Sequence, residues 1–479
     1  MALLQVRGKD IVNQKGEKVY LRGVSFGGWL NMENFITGYI GSESSFRKTL
    51  REELGEERYN VFMDSFLDSF IREEDFKFLA ELGATVVRIP FNYRHFEDDL
   101  EPGQYKSSAF KYLDRAINWA KKYGIYVILD LHAAQGWQNE SWHSDNTNSI
   151  SLLWSNRDYQ KRVIDLWTYI ADYYKDEEYI AGYDLLNEPD APDVESINRL
   201  YRELVENIRK VDKKHIIFLE ANNYSKNFRG FEEPFDDNLA YSSHNYCSAT
   251  HSARRYPGPV ANFDNSGAGL VYVDRDRIEK DLLERNGWVM ERGRPSWIGE
   301  FGALFDGDIN NPLPCDLERL KALKDQLDIF NQYEQHWTIW TYKDIGVQGL
   351  VVSDPESVYL KRIKASNELK KELGLDAWTA RTNGILRMKA MEIANIVGNM
   401  VQSKLNDNSN DYRIQWHRRL GRYAICGAVA DLLAVNFAAL FVDMTAEEIK
   451  MMNEEAFAFE NTIRREYLID VLKNAFIAK

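Results

Sequence analysis

Cysteine is scarce. The chain has three in 479 residues, Cys247, Cys315 and Cys426, far apart and odd in number. Such a set builds neither a disulfide framework nor a thiolate metal site, and it fits a reducing compartment. Positive charge is also in deficit: 60 Lys and Arg face 74 Asp and Glu, for a formal net charge of −14. That balance repels phosphate backbones and anionic lipid surfaces, so no nucleic-acid partner is expected. No glycine-rich phosphate turn follows the first strand-like run, which removes the fingerprint of a dinucleotide-binding doubly wound sheet. No close ligand spacing such as HExxH occurs, and neither metal nor cofactor is expected. The N-terminus, MALLQVRGKD, meets charge before an apolar signal-peptide core has formed. The expectation is a cytoplasmic chain.

Long hydrophobic runs are few as well. One segment, YAICGAVADLLAVNFAALFV from Tyr423 to Val442, has the length of a bilayer span. Asp431 and Asn436 interrupt it, and Arg418, Arg419 and Arg422 precede it. A charge at mid-bilayer is costly, whereas a helix packed in a soluble bundle tolerates one polar stripe. The segment reads as a soluble core helix, with no membrane span. Aromatic residues, in contrast, are plentiful at 13%, including 12 Trp and 26 Tyr. Flat rings serve core packing and sugar clefts alike.

Length alone allows two or three domains, or one barrel with additions. The chain opens as a β-hairpin, LLQVRG followed by KDIVNQKGEKVYLRG with turn chemistry at Asn13 to Gly16. Eight β-type runs then recur with helical patterns between them. They are Val19–Phe26, Ala84–Pro90, Ile125–His132, Ile180–Glu188, His215–Ala221, Asn238–Tyr246, Ser296–Gly302 and His336–Tyr342. Several are continuously apolar rather than alternating, as strands buried on both faces are. Helices are expected to begin near Ser107 and to run from about Val194 to Val211. The pattern points to an α/β fold, a (β/α)8 TIM barrel, over residues 1–374. Residues 375–479 read as a C-terminal all-helical extension. It has a polar break at LNDNSNDY, a capping box at Thr445 and Glu448, and a last helix to about Phe476.

In such a barrel the C-terminal strand ends converge on the face that carries the active site. One of them reads YDLLNEPD, where a buried strand runs into Asn187, Glu188 and Pro189. The others place Arg88, Asp130, His132, His244, Tyr246, Glu300 and Trp340 on the same rim. Taken singly, each has a plainer reading: an ion pair, a satisfied core histidine, a packed indole. Together they form a constellation of carboxylates, a cation and aromatic rings. LLNEP, WIGEFG, VRIP, DLH, HNY and WTIW resemble glycoside hydrolase family 5 over about Val19 to Tyr342. The opening RGVSFGGWLNMENFIT is similar to its exo-β-1,3-glucanase branch, and HAAQGWQNESWHSDN resembles an altered, lengthened form of that branch's loop after strand three.

The resemblance implies that Glu188 is the acid/base and Glu300 the nucleophile. It implies further that Glu33, Arg88, His132, Asn139, Asp145, Asn187, His244, Tyr246 and Trp340 bind substrate or orient the two acids. Arg88 is expected to keep Glu300 ionised, and Tyr246 to donate to it. Asn187 would hold the sugar 2-hydroxyl, and Trp340 would floor the sugar site. Glu188 is expected to keep its proton near neutral pH. Trp137, Trp142 and Tyr342 are candidates for the aglycone side. The implied activity is a retaining β-glycosidase hydrolysing β-glucosidic bonds, exo-acting on short β-glucosides or β-1,3-gluco-oligosaccharides. An endo-β-glucanase or β-mannanase, a glycolipid β-glucosidase and a non-catalytic carbohydrate-binding barrel remain alternatives.

Overall fold

Apolar, β-branched and aromatic residues concentrate in eight short segments, and these segments close on themselves. They are β1 (Arg22–Ser25), β2 (Val86–Asn92), β3 (Tyr126–Ala133), β4 (Ile180–Asp184), β5 (Ile216–Glu220), β6 (Leu239–His244), β7 (Ser296–Glu300) and β8 (His336–Ile339). Each pairs in parallel with the next, and β8 returns to β1, giving a closed barrel. Every residue in all eight strands is buried. That is why the sequence lacks the in–out alternation of a half-exposed sheet. The computed structural model describes residues 3–261, 269–375, 384–405 and 419–478. The polar break after Leu405 lies outside the described residues.

The N-terminal hairpin forms between Gln5–Arg7 and Asp10–Val12. Its Leu4 and Ile11 join Leu21, Ile128, Phe218 and Trp297 in a small apolar cluster separate from the main core. The expected helices also form, at Phe110–Tyr123 after a short 3-10 turn from Ser107, and at Val194–Val211.

Between β1 and β2 the chain inserts a long helical segment, Glu43–Phe70, which changes direction at Gly55 where φ is +74°. The tail packs on this insertion. Phe437 meets Phe46 at 5.8 Å, Phe441 meets Phe62 at 5.3 Å, and Phe457 meets Phe66 at 5.2 Å between ring centroids. The helical stretch Arg419–Phe441 is long and apolar enough to cross a membrane by length and composition, with a little under half of its most apolar window buried. Its Asp431 accepts hydrogen bonds from the Ser42 amide at 2.8 Å and the Ser42 hydroxyl at 3.1 Å. The capping box at Thr445 forms, with the Thr445 amide donating to Glu448 at 2.8 Å.

The all-helical expectation for the tail needs one correction. Thr462–Arg464 is a strand, antiparallel to Val351–Ser353. Its few residues carry too little periodicity to mark it, and the pairing is with a segment more than a hundred positions away. The helix that follows, Glu466–Ile477, packs between Glu73–Leu82 and Pro314–Gln332, the helices that precede β2 and β8. It thus closes the outer ring where an eighth barrel helix belongs. Phe476 stacks on Trp337 at 5.2 Å. Buried Arg22 donates to the carbonyls of Ala475 and Ala478.

Because Phe476 is 5% exposed, Phe476→Ala should lower unfolding free energy by about 3 kcal/mol. Urea denaturation checks this, and an unchanged midpoint would show that the last helix is not integral to the barrel.

Candidate active site

Arg88 lies fully buried inside the barrel, in mid-β2 rather than at its end, because β2 continues four residues further. Its guanidinium donates to Glu300 at 2.6 Å, Asn187 at 2.8 Å, and Asp184 and Glu220 at 3.1 Å each, with Asp130 also at 3.1 Å. Burial disfavours that charge, but four surrounding carboxylates hold the guanidinium pKa well above its usual value. Asp184, buried and next to Glu220, is pushed well above the carboxyl range. Burial and the neighbouring carboxylates thus favour the protonated form at this position.

Glu300 ends β7 beside a break in the β6–β7 register, with Ile298 opposite Ser243 and Glu300 opposite His244. Such an irregularity re-aims a side chain. One carboxylate oxygen takes the Arg88 bond, and the other accepts from the Tyr246 hydroxyl at 2.8 Å. Burial and the nearby Glu300 charge keep that phenol well above its ordinary pKa, so it stays a donor. Glu188 comes from a turn, not from the strand: β4 stops at Asp184, and Glu188 has φ +46°. This differs from the expected strand Ile180–Glu188. The left-handed residue turns the chain out of the sheet and aims the carboxyl inward. His244 Nδ1 lies 2.8 Å from one Glu188 oxygen and His143 Nε2 lies 3.2 Å from the other.

One oxygen from Glu188, one from Glu300 and a nitrogen of His244 all lie within 4.8 Å of one another. Two carboxyls brought together in this way, one tied to a cation and a phenol and the other to imidazoles, match the residue types that glycoside hydrolysis requires. The family profile "Cellulase (glycosyl hydrolase family 5)" matches residues 53–346, more than half of the chain. The chain belongs to glycosyl hydrolase family 5.

A β-xylosidase of Phanerodontia chrysosporium is 37% identical over 479 residues, covering 98% of each chain. Endoglucanase C of Acetivibrio thermocellus is 27% identical over 60% of this chain and 88% of its own. A probable glucan 1,3-beta-glucosidase A of Aspergillus clavatus is 26% identical over 73% and 89%. Among solved structures, an endogalactoceramidase shares the fold with a TM-score of 0.51 at 18% identity, over 72% of this chain and 75% of that one.

Most of the family 5 positions expected from sequence meet around Arg88. His132 Nδ1 lies 2.7 Å from Asp130, and its Nε2 lies 3.5 Å from Glu33 and 3.3 Å from the Asn187 amide. Its ring lies parallel to Trp340 at 5.3 Å. Burial alone would keep His132 neutral, yet the Asp130 and Glu33 carboxylates push its pKa up to about 9. Asn139 is spent inside the protein, donating to the Glu188 carbonyl at 3.0 Å and accepting from the Ser141 amide at 2.9 Å. The donated bond holds the Glu188 backbone. Asp145 is a buried strut, accepting from the Ser44 amide at 2.7 Å, the Ser44 hydroxyl, Asn92 at 3.1 Å and Arg94 at 3.0 Å. The lengthened loop carries it away from the role its motif implied. Tyr342, an expected aglycone residue, is fully buried and donates to Asp75 at 2.7 Å. Trp137 donates to the Asp145 carbonyl at 2.9 Å, and Trp142 packs edge-on to His143 at 5.9 Å.

Two members of the site escaped the sequence reading. Glu220 ends β5, accepting from Arg88 and from the Glu188 amide at 2.8 Å, with Ser225 also on it and His244 Nε2 at 3.2 Å. Burial opposes its ionisation, but His244, Arg88 and Ser225 hold the carboxyl at about 2. An acid closing HIIFLE was visible beside the other strand-end acids. His143 sits in a loop with no periodic signal. The two imidazoles also modify the expectation for Glu188. Burial raises its proton affinity, but His143 and His244 pull it well below the carboxyl range when both donate.

A raised histidine stabilises the fold below its unfolded pKa of about 6.5, and that contribution is lost as pH rises through about 9. The stability margin of the wild type over His132→Gln should therefore shrink by about 3 kcal/mol across that window. Urea denaturation at stepped pH measures it, and a flat margin would remove Asp130 as the cause.

Proposed function

We propose that this family 5 chain is a retaining, exo-acting β-glycosidase that releases a terminal β-linked sugar from a short glycoside. The observation that carries the reading is the separation of the two acids. Inverting enzymes hold their carboxyls about 6.5–9.5 Å apart to admit water, whereas retaining enzymes hold them near 5 Å. One oxygen of Glu188 lies within 4.8 Å of one oxygen of Glu300, which supports the second arrangement.

In the proposed reaction a Glu300 oxygen attacks the anomeric carbon and forms a glycosyl ester. The bond to the leaving oxygen breaks as Glu188 gives that oxygen a proton. The 2.8 Å Glu188–His244 contact keeps such a proton at hand. Water then loses a proton to Glu188, attacks the anomeric carbon and frees Glu300. Arg88 and Tyr246, both on Glu300, stabilise the carboxylate as it departs from the sugar. In this reaction Asn187, beside His132, takes the 2-hydroxyl, and Trp340 takes the sugar face. Enclosure supports exo action on small substrates: the Glu300 side chain is 6% exposed and Glu188 14%. An endo-acting cleft needs both ends of a polymer chain to pass its acids.

Glu33, buried against His132, favours a terminal glucose by the exo-glucanase likeness of the opening segment. The full-length likeness to a β-xylosidase favours xylose as a second reading. The two sugars share their ring hydroxyl configuration and differ by one hydroxymethyl group, so a panel of aryl β-glucoside and β-xyloside decides between them. The first-formed sugar should keep the β configuration by proton NMR. Glu300→Gln should abolish turnover, and Glu188→Ala should lose about 10²–10⁴-fold on alkyl glycosides, with azide restoring turnover of activated aryl glycosides. An α-configured first product, or near-normal rates in Glu300→Gln, would overturn the assignment.

A further inference from the structure

The loop after β3 places a second histidine against the acid/base, and its hydrogen bonds fix what that ring can offer. His143 Nε2 lies 3.2 Å from Glu188 Oε2 and 3.0 Å from Asn139 Nδ2. An asparagine amide has one donor end and one acceptor end. Here the acceptor end is identified independently, because Asn139 Oδ1 accepts from the Ser141 amide at 2.9 Å. The other end donates to the Glu188 carbonyl at 3.0 Å, which only an N–H can do. Asn139 therefore turns N–H groups toward His143, and a ring nitrogen facing an N–H donor is an acceptor. The one lone pair of Nε2 is shared between the Asn139 N–H and Glu188 Oε2, so no ring proton stands between His143 and that oxygen. The His143 carbonyl, bonded by Asn31 at 3.1 Å, anchors the loop that presents the ring.

We infer that His143 is a positioning residue that keeps Glu188 in its acid form, through a tautomer locked by Asn139. The inference rests on Glu188 being the acid/base. A lone pair beside a carboxyl oxygen disfavours the carboxylate and favours the protonated acid, the opposite of what an imidazole N–H does at the same distance. The remaining groups around Glu188 divide by element. His244 from β6 is on the other oxygen, Glu220 from β5 binds the Glu188 amide, and Glu300 from β7 lies within 4.8 Å with Arg88 and Tyr246 on it. Tyr224 packs edge-on to His143 at 6.3 Å. His143 is the neighbour that turns a lone pair toward Oε2.

The sign of a pH shift tests this. The alkaline limb of kcat/KM reports loss of the acid's proton from the free enzyme. In His143→Phe, which has no acceptor, that limb should move to lower pH by about one unit. His143→Gln, whose amide oxygen can face Glu188 while Asn139 is retained, should hold the limb near its wild-type position. The rate loss in His143→Phe should also be larger on an alkyl glycoside than on a dinitrophenyl glycoside, whose departure needs no proton. A limb that moves to higher pH, or does not move, overturns the inference, as does an equal loss on both substrates. Should His143→Phe not fold, nitrogen NMR of histidine-labelled wild type gives the same answer, with the resonance absent from His143→Gln supplying the assignment. The proton should reside on Nδ1 at the pH of maximal activity; a proton on Nε2 overturns the inference. Glu188→Ala separates the underlying reading: full activity of that variant on alkyl glycosides would remove Glu188 as the acid whatever His143 does.

Discussion

A single guanidinium enclosed by carboxylates fixes the centre of this barrel. Arg88 touches Asp130, Asp184, Glu220 and Glu300, all buried. Charges buried in this way are costly unless each is paired, and removing one partner from a buried pair costs about 3–5 kcal/mol because the other is left stranded. The side chains around Arg88 are therefore fixed together, not one by one. Glu300 is aimed by Arg88 directly. Glu188 is aimed at one remove, through Glu220, which binds Arg88 with one oxygen and the Glu188 amide with the other. The positive φ of Glu188 is sustained by that amide bond and by Asn139 on the adjoining carbonyl.

The same enclosure bears on chemistry. Hydrogen bonds and charges act more strongly where water is excluded, and groups already oriented need no reorganisation as charge develops. The space is tightly specified by the backbone as well. A Cβ added at Gly27 would sit 2.5 Å from the Trp340 ring, so the indole keeps its place parallel to His132 only because the opposing residue is glycine. Loops supply the rest. The segment after β3 contributes Asn139 and His143 and buttresses itself through Asp145 on Ser44, Asn92 and Arg94.

How much of this the sequence disclosed depends on the range of the interaction. Strands buried on both faces write themselves as apolar runs, so the barrel and its order were legible. Acids and cations at the ends of such runs pointed to Glu188, Glu300 and Arg88, although β2 runs past Arg88 and β4 stops before Glu188. Glu220 carried the same mark as its neighbours. His143 carried none, because its place depends on a loop held by distant partners. Asp145 and Tyr342 were misplaced for the same reason: a motif gives residue type, while the lengthened loop and the Asp75–Lys343 ion pair at 2.9 Å decide where each side chain goes. The tail's final helix was evident from its periodicity, but nothing local identifies the surface that it fills.

That helix has a consequence for biosynthesis. Residues 466–477 complete a ring whose first strand begins at Arg22, so the contacts of Arg22 with Ala475 and Ala478 join positions some 450 apart. A chain emerging from the ribosome has all eight barrel strands long before it can seal the gap over Trp337. Until then the Trp337 indole lacks the Phe476 ring that covers it, and apolar surface exposed in this way favours association.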